Sequence, residues 1–115
     1  MPSSGQIELA RLQAAAGQAS TLLKVLSNPD RLLLLCQMTQ GEFPVSELEV
    51  LSGIRQPTLS QQLTVLREEK LVSTRREGKQ IFYSIASKEA LAVMQVLYQL
   101  YCPSDQEARD DNRLD

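Results

Sequence analysis

The stretch from Gln56 to Ile85, QPTLSQQLTVLREEKLVSTRREGKQIFYSI, carries two periodicities in succession, and the change between them decides the fold. In its first half Leu59, Leu63 and Leu66 are spaced by four and three, one apolar stripe of a helix opened by Gln56 and Pro57. Beyond Lys70 the period falls to two. Val72 and Thr74 alternate before a basic segment, Ile81, Tyr83 and Ile85 alternate after it, and Gly78 marks a hairpin turn. Just upstream, a short helix from about Val45 to Leu51 is ended by Ser52 and Gly53. Two helices joined by a three-to-four-residue turn containing glycine form a helix-turn-helix signal, and the basic hairpin that follows reads as its wing.

The rest of the chain supplies a scaffold for that unit. Leu12, Ala15, Ala16, Ala19, Leu22, Leu23 and Leu26 recur at steps of three and four and predict a first amphipathic helix. Asn28 and Pro29 read as an N-cap and first helical position of a second helix, which runs through Gln40 and is stopped by Gly41. Its Leu32–Cys36 run is apolar around most of the circumference, as a central core helix requires. Glu42, Phe43 and Pro44 read as a connection. Ser87 can cap a last helix that reaches about Cys102 and ends at Pro103. Leu91, Val93, Met94, Val96, Leu97, Tyr98, Leu100 and Tyr101 make that helix apolar on nearly all sides, so it needs cover on both faces, and a subunit interface, with Leu97 expected in it, supplies the second. The predicted fold is mainly α with a small β-hairpin: a winged helix-turn-helix of five helices plus wing, homodimeric. Residues 1–103 form one DNA-binding and dimerisation domain in this reading, and the polar residues 104–115 a disordered tail.

Composition narrows the function. The longest apolar run is far short of a membrane span and the N-terminus lacks a basic segment followed by an apolar one, so the expectation is a cytoplasmic protein with no membrane partner. With no histidine in the chain, the commonest general base and metal ligand are both missing, which argues against an enzyme and against a bound metal or cofactor. The formal charge of −2 looks unsuited to DNA until it is divided by segment. From Arg55 to Lys79 six basic residues face three acidic ones, a net of +3, whereas the segment after Cys102 carries five acidic and two basic residues, a net of −3. Phosphate binding depends on where the positive charge sits more than on the total.

With the leucine stripe turned inward, Pro57, Gln61 and Thr64 face outward on the recognition helix, flanked by Thr58 and Ser60. Short and amide side chains near a helix N-terminus are what base edges in a major groove require. Arg75, Arg76 and Lys79 at the hairpin tip become phosphate or minor-groove contacts on double-stranded operator DNA. An ordinary solvated helix face and a charged turn that keeps a wing soluble are the plainer alternatives.

This segment, preceded by NPDRLLLLC from Asn28 to Cys36, resembles the ArsR/SmtB family of bacterial repressors, and the order of elements matches over roughly the first 102 residues. The resemblance implies a base-reading role for Gln56, Thr58, Ser60 and Gln61. Metal-sensing members often place cysteines in the short third helix or His and Asp ligands on the last. Here those stretches hold Glu47, Glu49 and the apolar Leu91–Tyr101, a poor soft-metal set. Cys36 and Cys102, 66 positions apart, instead resemble the dithiol branch, the BigR-like and SqrR-like repressors, which lose operator affinity when a persulfide or oxidant links their thiols. Two other readings stay open on the sequence: a winged-helix regulator in which both cysteines are small core hydrophobes, and a winged-helix protein-interaction module.

Overall fold

A computed structural model of the protein describes residues 4–102. The elements run α1 (Ser4–Leu26), α2 (Pro29–Met38), β1 (Phe43–Pro44), α3 (Val45–Ser52), α4 (Thr58–Glu68), β2 (Val72–Glu77), β3 (Gln80–Ile85) and α5 (Lys88–Tyr101). Pro103 and the tail expected at 104–115 lie outside the described residues. No described helix is long and apolar enough to cross a membrane.

Local chemistry sets the helix ends. The Asn28 side chain accepts a hydrogen bond from the Arg31 N–H, with Pro29 at the first helical position, and Ser87 caps α5 by accepting from the Ala90 N–H. α3 stops where Gly53 takes a left-handed φ of 76°, a conformation that costs a residue with Cβ more than it costs glycine. α4 ends in a Schellman turn: the Leu71 N–H donates to the Leu66 carbonyl and the Lys70 N–H to that of Arg67, with Lys70 itself left-handed at φ 64°. That turn buries Leu71 and sends the chain directly into β2. Gly78 supplies the positive φ that the first residue of a two-residue hairpin loop needs, and Glu77 then pairs with Gln80.

The core is built from α2, α3, α4 and α5. Leu34, Leu35, Leu48, Leu59, Leu63, Leu66 and Met94 are almost completely excluded from solvent, so the Leu59, Leu63 and Leu66 stripe faces inward as its spacing requires. α2 is central, packing on α1, α3, α4 and α5 and on β3.

Four features differ from the sequence reading. α1 begins at Ser4 rather than near Leu12, because Glu8, Leu9, Ala10 and Arg11 are good helix formers that extend it beyond the amphipathic stretch. The helix-turn-helix turn spans residues 53–57, and α4 starts at Thr58, one residue beyond the expected Pro57. The wing is more than a hairpin: Phe43 and Pro44 form an edge strand antiparallel to β3, Phe43 opposite Tyr83 and Pro44 opposite Phe82, giving the order β1-β3-β2. An edge tolerates proline because no ladder N–H is needed on its outer side. Finally, Leu97 is half-buried against the core, while Val96 (53% exposed) and Leu100 (67%) project outward from α5. On α1, Leu9, Leu12 and Leu23 are likewise more than half exposed.

Candidate nucleic-acid interface and thiol pair

One exposed face of α4 carries Ser60, Gln61 and Thr64, with Gln56 exposed just ahead of the helix and Thr58 half-buried. Gln56 already has local work, since its side-chain oxygen accepts a hydrogen bond from the Ser60 N–H at 3.0 Å and so satisfies a donor at the start of α4. The Thr64 hydroxyl donates to the Ser60 carbonyl at 2.8 Å, which leaves its oxygen lone pairs and methyl outward. Gln62, on the inner side of the same helix, accepts from Arg31 Nη1 at 2.9 Å, and Arg31 Nε donates to the Val25 carbonyl. That bridge locks α4 to the α1–α2 junction and orients its polar face.

The three wing cations do not behave alike. Arg76 and Lys79 are exposed, and neither is in an ion pair among the described residues. Arg75, expected as a phosphate or minor-groove contact, is held by two carboxylates. Its Nη2 lies 2.6 Å from Glu42 Oε1, its Nη1 2.9 Å from Glu77 Oε1, and its guanidinium stacks over the Phe82 ring at 4.8 Å from the centroid. The hydrogen bonds from Arg75 hold the Glu42 carboxyl below the usual range and raise the arginine further still.

Two further cations belong to this face. Arg67 is exposed three residues beyond Thr64 and lines a cleft of about 380 Å³ with Thr64, Glu68 and Tyr83, in the angle between α4 and the wing. Arg55 is exposed beside Gln56. The helical wheel that turns Gln61 and Thr64 outward also turns Arg67 outward, so that residue was legible; the wing side of its cleft was not.

Cys36 on α2 and Cys102 at the C-cap of α5 are both free thiols, the first half-buried and the second exposed. They line one groove of about 290 Å³ with Leu32, Leu33, Met94, Leu97, Tyr98 and Tyr101. Burial pushes the Cys36 thiol above the ordinary range, and a charge on Cys102 acts in the same direction. Arg31, the nearest basic residue in sequence, is committed to Val25 and Gln62. No three His, Cys, Asp or Glu side chains converge on a potential metal position among the described residues.

Comparison with known proteins agrees with this fold. The family profile "Bacterial regulatory protein, arsR family" matches residues 28–74, from the cap of α2 into β2. The chain is 49% identical over 102 residues to a biofilm growth-associated repressor of Agrobacterium fabrum, covering 89% of this chain and 87% of that protein. It superimposes on the transcriptional repressor BigR from Xylella fastidiosa with a TM-score of 0.77 and 47% identity, covering 83% of this chain and 97% of the other. Reduced HlyU from Vibrio cholerae aligns with a TM-score of 0.76 at 37% identity, over 80% of this chain and 97% of that one; HlyU is a transcriptional activator.

Proposed function

The chain belongs to the arsR family of bacterial regulatory proteins, and from that premise we propose that it is a homodimeric repressor that binds double-stranded operator DNA and is released by a persulfide or oxidant acting on Cys36 and Cys102. The observation that carries the sensing half is that two cysteines 66 positions apart in sequence line a single apolar groove between α2 and α5. Repression rather than activation is favoured by the names of the more similar relatives, 49% identical against 36% for the activator.

In this reading α4 enters the major groove, with Gln61, Ser60 and Thr64 at base edges and Gln56 and Thr58 at its approach, while Arg76 and Lys79 meet phosphate or the minor groove. Two copies are needed because a winged helix of this type reads one half-site, and half-sites lie one helical turn of DNA apart. The exposed leucines of α1 and the Val96 and Leu100 stripe of α5 supply the apolar surface for that pairing.

Cys102 is the thiol an incoming persulfide meets first, because it is exposed while Cys36 is half-buried, where burial lowers its thiolate fraction without abolishing it. Attack by the Cys102 thiolate on the outer sulfur of R–S–SH forms a Cys102 persulfide and releases R–SH. Attack by Cys36 on the inner, Cys102-bound sulfur then closes a Cys36–Cys102 disulfide and releases hydrogen sulfide, so atoms and electrons balance. The bridge ties the central helix to the helix that carries the subunit interface. A shift there changes the separation of the two recognition helices and hence operator affinity.

The DNA half is tested by two substitutions with different signatures. Gln61→Ala should cost about 1–3 kcal/mol on the preferred duplex and relax sequence preference. Lys79→Ala should weaken binding to all sequences alike and reduce the salt slope by about one. Unchanged affinity in both variants, titrated across a salt series, would remove α4 and the wing tip from the interface.

A further inference from the structure

We infer that Arg75 is a positioning residue, which braces the wing against the entry of the helix-turn-helix, and that it does not itself touch DNA. The sheet order β1-β3-β2 places Phe82 between Arg75 on one side and Pro44 on the other. The Arg75 side chain therefore leaves β2, crosses the Phe82 ring on β3, and meets Glu42, the residue immediately before β1. All three of its nitrogens are engaged by carboxylates: Nε lies 3.0 and 3.2 Å from the two Glu42 oxygens, Nη2 bonds the first of them, and Nη1 bonds Glu77. β1 runs without a break into α3, the first helix of the helix-turn-helix. One side chain thus connects the outer half of the wing to the unit that carries the recognition face.

Exposure decides what this connection is for. The Arg75 and Glu42 side chains are 48% and 38% exposed, so water and salt screen the pair and it adds little to global stability. What a two-point arginine–carboxylate contact over an aromatic ring supplies is direction, because the planar fork fits its partner in few orientations. The local charge is also wrong for a phosphate seat. Arg75 with Glu42 and Glu77 carries a net −1, which repels DNA, so simple electrostatics says that neutralising Glu42 should tighten binding. A brace demands the opposite sign.

The inference rests on the DNA-binding reading, and its test has one arm that uses no DNA. In the free protein, Glu42→Gln and Arg75→Lys should each speed amide hydrogen exchange across β2 and β3 while leaving α2 and α4 unchanged. Against a duplex selected by the wild type from a randomised pool, both variants should bind about three- to tenfold more weakly, with the salt slope of the wild type retained. Arg75→Lys keeps the cation but loses the fork and the stacking, so wild-type affinity in that variant overturns the inference. Equal or tighter binding by Glu42→Gln also overturns it, and so does wing exchange that neither substitution changes.

Discussion

Val96→Glu is expected to convert the protein to monomers in sedimentation and to lower its affinity for a two-half-site duplex by about 10² or more. Val96 is 53% exposed and Ala90 and Met94 do the inward packing of α5, so a carboxylate at position 96 remains hydrated in an isolated subunit and leaves the core intact. In a dimer built on this stripe, the same carboxylate is buried against apolar side chains without a partner, which is strongly unfavourable. Loss of pairing then turns one bivalent contact with DNA into two independent weak ones. Circular dichroism should show the helices retained. A variant that still sediments as a dimer would move the interface away from the outer face of α5. Leu97 is the wrong position for this experiment, because it packs on the core and lines the thiol groove.

The second large effect concerns the thiols. Cys36→Ser and Cys102→Ser should each bind the selected duplex as tightly as the reduced wild type, and each should keep that affinity in the presence of glutathione persulfide or diamide. The wild type should lose about 5- to 150-fold under the same treatment, the usual size of a coupling between two sites. Intact mass should show two hydrogens lost in the treated wild type, with any added sulfur appearing as further mass. The geometry also sets the order of reaction: the half-buried Cys36, with its thiol pushed up by burial, should be the later of the two to be modified. If either serine variant still releases DNA and the wild type shows no cross-link, the cysteines are core filling and the signal enters elsewhere.

The periodic features of this fold were open to reading because they are local. Leu59, Leu63 and Leu66 reveal a buried stripe from spacing alone, Asn28-Pro29 and Ser87 announce caps, and Gly53 and Gly78 sit where the backbone needs positive φ. What escaped depends on partners distant along the chain. The β1 strand is two residues long, includes a proline and is defined by Phe82 and Tyr83 opposite it, so no alternation in its own sequence could mark it. Arg75 looked like a wing cation open to DNA because Glu42, the carboxylate that takes most of its hydrogen bonds, lies 33 positions away. The apolar pattern of α5 showed that two faces needed cover but could not tell which residues served which: Leu97 turned inward, Val96 and Leu100 outward. The thiols are the extreme case, since nothing within 66 residues of sequence fixes a distance; only the packing of α2 on α5 brings them to one groove.

The measurement that bears most directly on the account is a fluorescence anisotropy titration of one labelled duplex, selected from a randomised pool, with the wild-type protein in three states: fully reduced, treated with glutathione persulfide, and treated then restored with dithiothreitol. The account predicts tight, salt-sensitive binding in the first state, a loss of about 5- to 150-fold in the second and full recovery in the third. Equal affinity in all three states, with mass spectrometry confirming that Cys36 and Cys102 were bridged in the second, would contradict it.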